Sequence, residues 1–430
     1  MGIVLKDILA ALPKGEDVEV KQTNIFIEND KITGIGTEPA GFKTDEVIDG
    51  KDKFVIPGLI NCHTHTYMAF MRNVADDLSF MDWLFGRIDP IEQKMTDDDV
   101  YWGACLGIIE MLKTGTTCFN DMQMNPCITT KAVKDSGMRA VIARGLVGNG
   151  NDEGGRKRIN DTYKDMEFSK DCDRLSFMLG PHAPYTCDEE YMRIVSDEAK
   201  KNNLGIHIHL SESLSEIDQI KEKYGCSPIE MAERNGIFDV RCIAAHCVQV
   251  DDKDMDIMAK HNVNVVTNPA SNMKLGNGFA PIPEMMEKGI NVCLGTDGAA
   301  SNNSLNLFKE LHLLTLIHKG THKTPQCISA TEGFKMATIN GAKALGLEDK
   351  IGSIEVGKKA DLAILDLKKP SLQPINNLIA GLSYSADGTE VETVFVDGKK
   401  VVENGKVLNL DEDLVYKKVN EIIKRLTLDM

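Results

Sequence analysis

Eight short apolar segments alternate with amphipathic stretches through the middle of this 430-residue chain, and nothing else in it constrains the fold as tightly. They are Phe54–Cys62, Thr116–Asp121, Ala140–Leu146, Ser176–Gly180, Gly205–Leu210, Cys242–Ala245, Asn264–Thr267 and Asn291–Gly295. Helical patterns separate them, among them Asp97–Lys113, Glu189–Asn202, Asp252–Lys260 and Leu305–His318. Continuous apolar runs of this length read as strands buried on both faces. Eight of them alternating with helices are the count of an α/β fold of the (β/α)₈ TIM-barrel kind, with an open doubly wound sheet as competitor. No Gly-x-Gly-x-x-Gly follows the first strand, so the dinucleotide-binding sheet loses its usual support. Residues able to do chemistry cluster at the C-terminal ends of the strands, where barrel active sites form, and that decides for the barrel.

The two ends of the chain have another texture. Val18–Thr23, Asn24–Glu28, Lys31–Ile35 and Glu46–Asp49 read as strands joined by turns. So do Gly352–Val356, Ala360–Asp366, Val391–Val396 and Lys400–Val402, with tight turns at Asp397-Gly398 and Asn404-Gly405. Two such pieces are expected to meet in one small β-sandwich domain with the barrel inserted between them. The expected division is 1–56 and 349–430 for the sandwich and 57–348 for the barrel. Leu410–Leu428 reads as an amphipathic helix lying on the sandwich.

Charge narrows the partners. The chain has 49 basic against 65 acidic residues, a formal charge of −16, and no Lys/Arg block. That balance disfavours nucleic acid and anionic membranes and favours a small-molecule substrate. No apolar run reaches the length of a membrane span. Eleven cysteines with no leader peptide point to a reducing, cytoplasmic setting. No two are spaced Cys-x-x-Cys, which argues against a zinc knuckle, a thioredoxin motif and the small cytidine-deaminase type of zinc site.

Five strand ends carry the candidate chemistry. Residues two apart in a strand face the same way, so His63 and His65, after Pro57-Gly58, can present two imidazoles to one point. His207 and His209 repeat the spacing. His209, nearer the strand end, is the candidate ligand, and His207 is a core or supporting histidine. Glu212 lies three residues on, within reach of the metal's open position, although Ser-Glu-Ser is also an ordinary helix start. His246 ends a short apolar strand, where a lone histidine is commonly a hydrogen-bonded core group. Asp297, in Gly-Thr-Asp-Gly, either ligates or caps the next helix. Together these residues supply what metal-assisted hydrolysis needs: imidazoles, a ligating carboxylate and a free one.

This pattern resembles the amidohydrolase superfamily, in its cytosine/adenosine deaminase and chlorohydrolase branch. Ile351–Asp366 resembles that family's C-terminal sheet signature, so the likeness covers nearly the whole chain. The resemblance implies His63, His65, His209 and Asp297 as metal ligands, with Glu212, His246 and Asp297 handling the proton and the water. Strand four ends Gly180-Pro181-His182 rather than in the lysine of the binuclear members, so one metal is expected. Zinc is the first expectation, with iron and manganese as alternatives.

Asp77–Leu84 with Trp83, followed by Pro90-Ile91-Glu92, resembles the 5′-methylthioadenosine/S-adenosylhomocysteine deaminases, 5′-deoxyadenosine deaminases among them. So do Arg144 in Ile-Ala-Arg-Gly, Arg156 in Glu-Gly-Gly-Arg, Pro181–Tyr185 and Ser301–Leu305, which holds Ser304. The likeness implies that Glu92 takes the ribose hydroxyls and His182 the purine, with Arg144 and Arg156 at the 5′ end. It places Trp83, Ser304, Glu212 and Asp297 in the substrate site too, and homo-oligomers are the family's habit. A carboxylate accepts two vicinal hydroxyls well, and an arginine fork suits a carboxylate. Glu92 and Arg156 also stand in charged, loop-like sequence where solvated side chains are routine. The rival readings are a guanine or triazine deaminase or chlorohydrolase, a non-catalytic scaffold on this fold, and a nucleic-acid adenosine deaminase.

Overall fold

Strands buried on both faces need helices on their flanks and a short return path, and the chain meets both needs with a closed parallel ring. The computed structural model describes residues 1–125 and 127–428. Five strands come first: β1 (Gly2–Lys14), β2 (Asp17–Glu28), β3 (Lys31–Ile35), β4 (Glu46–Asp49) and β5 (Lys53–Pro57). The barrel follows as β6 (Leu59–Thr64), β7 (Thr116–Gln123), β8 (Arg139–Leu146), β9 (Leu175–Pro181), β10 (Gly205–Leu210), β11 (Cys242–His246), β12 (Asn264–Thr267) and β13 (Asn291–Leu294). Then β14 (Leu362–Asp366), β15 (Val391–Val396), β16 (Lys399–Glu403) and β17 (Lys406–Val407) rejoin the first five.

The eight middle strands pair in sequence order, each parallel to the next. Last meets first where the Thr296 and Asp297 amides donate to the His63 carbonyl at 3.1 and 3.0 Å. That closure already places one expected metal ligand beside another. The apolar run expected as a single strand over Phe54–Cys62 is in fact two. β5 pairs with β1 and β14 in the terminal sheet, while β6 pairs with β7 in the barrel. The break falls at Gly58, where a Cβ would lie 2.1 Å from the Thr117 hydroxyl, so only glycine lets the chain cross between sheets.

The terminal strands form one nine-stranded mixed sheet, ordered β17-β16-β15-β14-β5-β1-β2-β3 with β4 on β1. It closes over a core of its own that includes Ile3, Leu5, Ile8, Ile25 and Phe395. Its longest strand, β1, is absent from the sequence reading, and Val18–Thr23 and Asn24–Glu28 are one strand. A register shift between Leu5 and Ile8, with Asp7 at φ 54°, keeps Ile3, Leu5, Ile8 and Ala10 on the buried face of β1. Gly352–Val356 is no strand, since Gly352 at φ 91° and Gly357 at φ 97° turn the chain instead.

The C-terminal helix Glu412–Leu426 is tied to a barrel helix, Asp97–Lys113, rather than lying on the terminal sheet alone. It buries Val415, Val419, Ile422 and Leu426 and is pinned by Lys113–Glu412 at 2.7 Å and Arg425–Asp99 at 2.6 Å. At the start of β8, buried Arg139 reaches Asp361 at 2.7 Å and also Asp397, joining barrel to sheet. Among the described residues no helix is long and apolar enough to cross a membrane.

Candidate metal centre and active site

The strand ends of β6, β10, β11 and β13 converge. Nε2 of His63 and Nε2 of His65 lie 3.3 and 3.5 Å from Asp297 Oδ1, and the two Nε2 atoms of His65 and His209 are 3.3 Å apart. The outer nitrogens explain which way the rings work. His65 Nδ1 meets the Met122 carbonyl at 2.8 Å, and His209 Nδ1 meets the His182 carbonyl at 2.7 Å. A carbonyl only accepts, so each Nδ1 carries the proton and each Nε2 turns a lone pair inward. His63 Nδ1 is 2.8 Å from Nε2 of His207, the supporting histidine. The inward Nε2 of His63 is buried and has no hydrogen-bond partner among the described residues.

A buried lone pair without a partner, beside two more and a carboxylate, is a donor set suited to a divalent cation. Electrostatics agree. Burial pushes His63 down to about 4, which keeps the imidazole neutral, as a ligand must be. Burial alone would raise Asp297, but the imidazoles around it hold the carboxyl well below its usual range. Its second oxygen, Oδ2, accepts from Ser271 and Ser301, both at 2.7 Å. Neither serine was singled out for that contact in the sequence.

Glu212 and His246 face each other across the same spot, Oε2 to Nε2 at 3.7 Å. Asn272 Oδ1 holds His246 Nδ1 at 2.9 Å, and Asn277 Nδ2 donates to Glu212 Oε1 at 3.0 Å. Burial pushes the Glu212 carboxyl up to about 7. The loop under it is held by buried Glu216, whose carboxylate takes the amides of Ser211 and Glu212 at 3.0 and 2.8 Å. Ser211 sits at φ 51° there, a backbone conformation costly for a non-glycine residue. The Ser-x-x-Glu of Ser213–Glu216 reads as a helix-capping box in sequence. In the structure that glutamate reaches past the cap to the loop, which the motif alone does not reveal.

A cavity of about 260 Å³ opens above this floor, and His65, His209, Glu212, His246 and Asp297 line it. Trp83, Glu92, His182 and Arg144 line it too. Trp83 donates Nε1–H to the Ala300 carbonyl at 3.1 Å. His182 Nδ1 lies 3.0 Å from the Thr186 hydroxyl, and burial pushes the ring down to about 4, so it is neutral. Arg144 donates to the Gly145 carbonyl at 2.7 Å, while its buried Nε has no partner among the described residues.

Two expected residues lie elsewhere. Arg156 is exposed and bonds Asn151, outside this cavity. Arg158 lines the cavity in its place and donates to the Val147 carbonyl at 2.9 Å. The helix Glu153–Phe168 buries Gly155, Ile159, Thr162 and Asp165, and Arg158 falls on that face while Arg156 does not. Helical periodicity could have found it, but Ile159 is the one fully buried hydrophobic side chain in that helix. Ser304 donates to Glu110 Oε1 at 3.1 Å and does not reach the cavity, whereas Ser301 does. Asn303, at φ 70°, reverses the chain between the two serines.

A barrel whose rim gathers a cation site and a buried, near-neutral carboxylate defines a metal-dependent hydrolase. Residues 54–401 match the amidohydrolase family. The chain is 44% identical over 428 residues to a 5-methylthioadenosine/S-adenosylhomocysteine deaminase of Thermoanaerobacter pseudethanolicus, with 99% of each chain covered. It is 45% identical over 415 residues to a 5′-deoxyadenosine deaminase of Methanocaldococcus jannaschii, covering 96% of this chain and 98% of that one. Among solved structures, an adenosine deaminase from Xanthomonas campestris with bound zinc superposes with a TM-score of 0.93 at 29% identity, covering 99% and 98%. The chain belongs to the amidohydrolase family.

Proposed function

We propose that the protein is a hydrolytic deaminase that converts the adenine of 5′-modified adenosines to hypoxanthine and releases ammonia. Candidate substrates are 5′-deoxyadenosine, 5′-methylthioadenosine, S-adenosylhomocysteine and adenosine. The observation that carries the reading is one cavity holding the cation site, Glu212 and Glu92 together. Full-length relatives bearing deaminase names support it. His63, His65, His209 and Asp297 would hold one divalent cation, zinc first, given three imidazoles and one carboxylate. The chemistry such a cation supplies when bound is acidification of a water, from a pKa of about 15.7 toward roughly 7.

The chain's own residues do the rest. His246, anchored by Asn272, turns Nε2 toward that water and fixes its orientation. Glu212 removes a proton from the water and delivers it to purine N1, which its near-neutral carboxyl suits. The water oxygen adds at C6, the C6–N6 bond breaks, and a second proton, passed through Asp297 and Glu212, leaves with the amine as ammonia. His182 stays neutral and can hydrogen-bond the purine. Glu92 takes the ribose hydroxyls. Arg144 and Arg158, not Arg156, face the 5′ end, where a guanidinium fork suits a carboxylate.

The test is ammonia release from the four nucleosides, compared by kcat/KM, with guanine and a chlorotriazine alongside and metal content measured on the same sample. The nucleosides should exceed the other two by orders of magnitude. A faster reaction with guanine or the triazine would overturn the assignment.

A further inference from the structure

Tyr67 lies two residues beyond His65, in the short 3-10 turn Thr66–Met71. That turn is locked, because Asp121 Oδ1 accepts from the Thr66 amide at 2.7 Å and from its hydroxyl at 2.8 Å. The Tyr67 side chain is buried, 2% exposed, yet its ring lines the active-site cavity. Its hydroxyl donates to Glu92 Oε1 at 2.5 Å, the short distance of a charge-assisted bond. Glu92 Oε2 has no hydrogen-bond partner among the described residues, and the side chain opens onto the cavity. Burial pushes the Glu92 carboxyl up to about 7, and the phenol works against that rise.

Two consequences follow from this geometry. A carboxylate offers about four lone-pair sites, and the phenol occupies one on Oε1, which leaves Oε2 free to accept a hydroxyl. The phenol also fixes the carboxylate plane relative to the strand end that carries His65. The ribose anchor is thereby tied to a residue only two positions beyond His65 in sequence. We infer that Tyr67 is a positioning residue that aims Glu92 at the ribose diol and so sets the preference for substrates bearing a 2′-hydroxyl. The inference rests on the reading of Glu92 as the ribose anchor.

The experiment compares kcat/KM for adenosine and 2′-deoxyadenosine in wild type, Tyr67→Phe, Glu92→Gln and the double variant. Metal content and thermal midpoint are read on each preparation. Tyr67→Phe removes a single oxygen from a side chain whose ring stays packed, so the fold has little reason to fail. The wild-type ratio should favour adenosine, and Tyr67→Phe should reduce it about tenfold, mainly through KM, as expected for a lost hydrogen bond to a charged group. Adding Tyr67→Phe to Glu92→Gln should leave the ratio where Glu92→Gln alone puts it. A purely structural tyrosine would lower the thermal midpoint and leave the ratio untouched. If Glu92→Gln abolishes the preference while Tyr67→Phe keeps it, the role given to Tyr67 is overturned alone. If Glu92→Gln itself keeps the preference, the ribose assignment is overturned as well. If Tyr67→Phe proves unstable, Tyr67→His, which retains a donor near the carboxylate, should keep more of the preference than Tyr67→Leu. Equal loss in those two would overturn the inference.

Discussion

The floor and the mouth of the cavity are built differently. On the floor every working side chain stands at a strand end, and its outward atoms are held. His65 and His209 are pinned to carbonyls, His246 to Asn272, Glu212 to Asn277 and Asp297 to two serines. At the mouth the chain runs through short helical turns over Phe80–Glu92 and through loops. There Phe85 and Met124 are exposed apolar groups, and Arg144, near the end of β8, has a buried Nε with no partner among the described residues. A floor built this way fixes one reaction, and a mouth built that way leaves the substrate's tail to be chosen.

The largest effects are expected at the floor. Glu212→Gln should retain its metal and lose about 10²–10⁴-fold in turnover, read by ammonia release and elemental analysis on one sample. Near-normal turnover would remove Glu212 from the proton path. A smaller effect is expected one step outward. Ser301→Ala deletes one of two donors to Asp297 Oδ2 and should cost about 10–100-fold in metal affinity, measured by competition with a chelator. Ser304→Ala should leave metal affinity within about twofold and cost only ~1 kcal/mol of stability in denaturant melts, the worth of a lost hydrogen bond. Effects at the mouth should fall on KM for one substrate alone. Arg158→Met should raise KM for S-adenosylhomocysteine about tenfold and spare 5′-deoxyadenosine, because only the former brings a carboxylate. Arg156→Met should change neither substrate's KM by more than about twofold, since the side chain is solvated.

The same divide governs what the sequence discloses. Seven barrel segments lie within two residues of their expected bounds at either end, and of these Gly205–Leu210 and Asn264–Thr267 match to the residue. Hydrogen-bond ladders impose a period of two, so His63 and His65 share a face whatever surrounds them. Phe54–Cys62 misled because β5 and β6 are equally apolar, and only the lack of room at Gly58 separates them. β1 escaped notice because its bulge at Lys6-Asp7 breaks the alternation that marks a strand. Arg158 and Ser301 were missed for a related reason. Each sits near a decoy of the same type, and the choice between them depends on a helix face or a reversed turn that pattern alone does not expose. Tyr67 carries no motif, and its bond to Glu92 joins residues 25 apart in sequence.

Distant strand ends are proposed to share one cation and to use it for deamination. The direct measurement is metal per chain and ammonia released from 5′-deoxyadenosine, in wild type and His63→Ala, before chelation, after it, and after zinc is returned. The wild type should hold about one equivalent, fall silent when stripped and recover with zinc, while His63→Ala should hold little metal and stay inactive. Full turnover by stripped protein, or a complete equivalent retained by His63→Ala, would contradict the account.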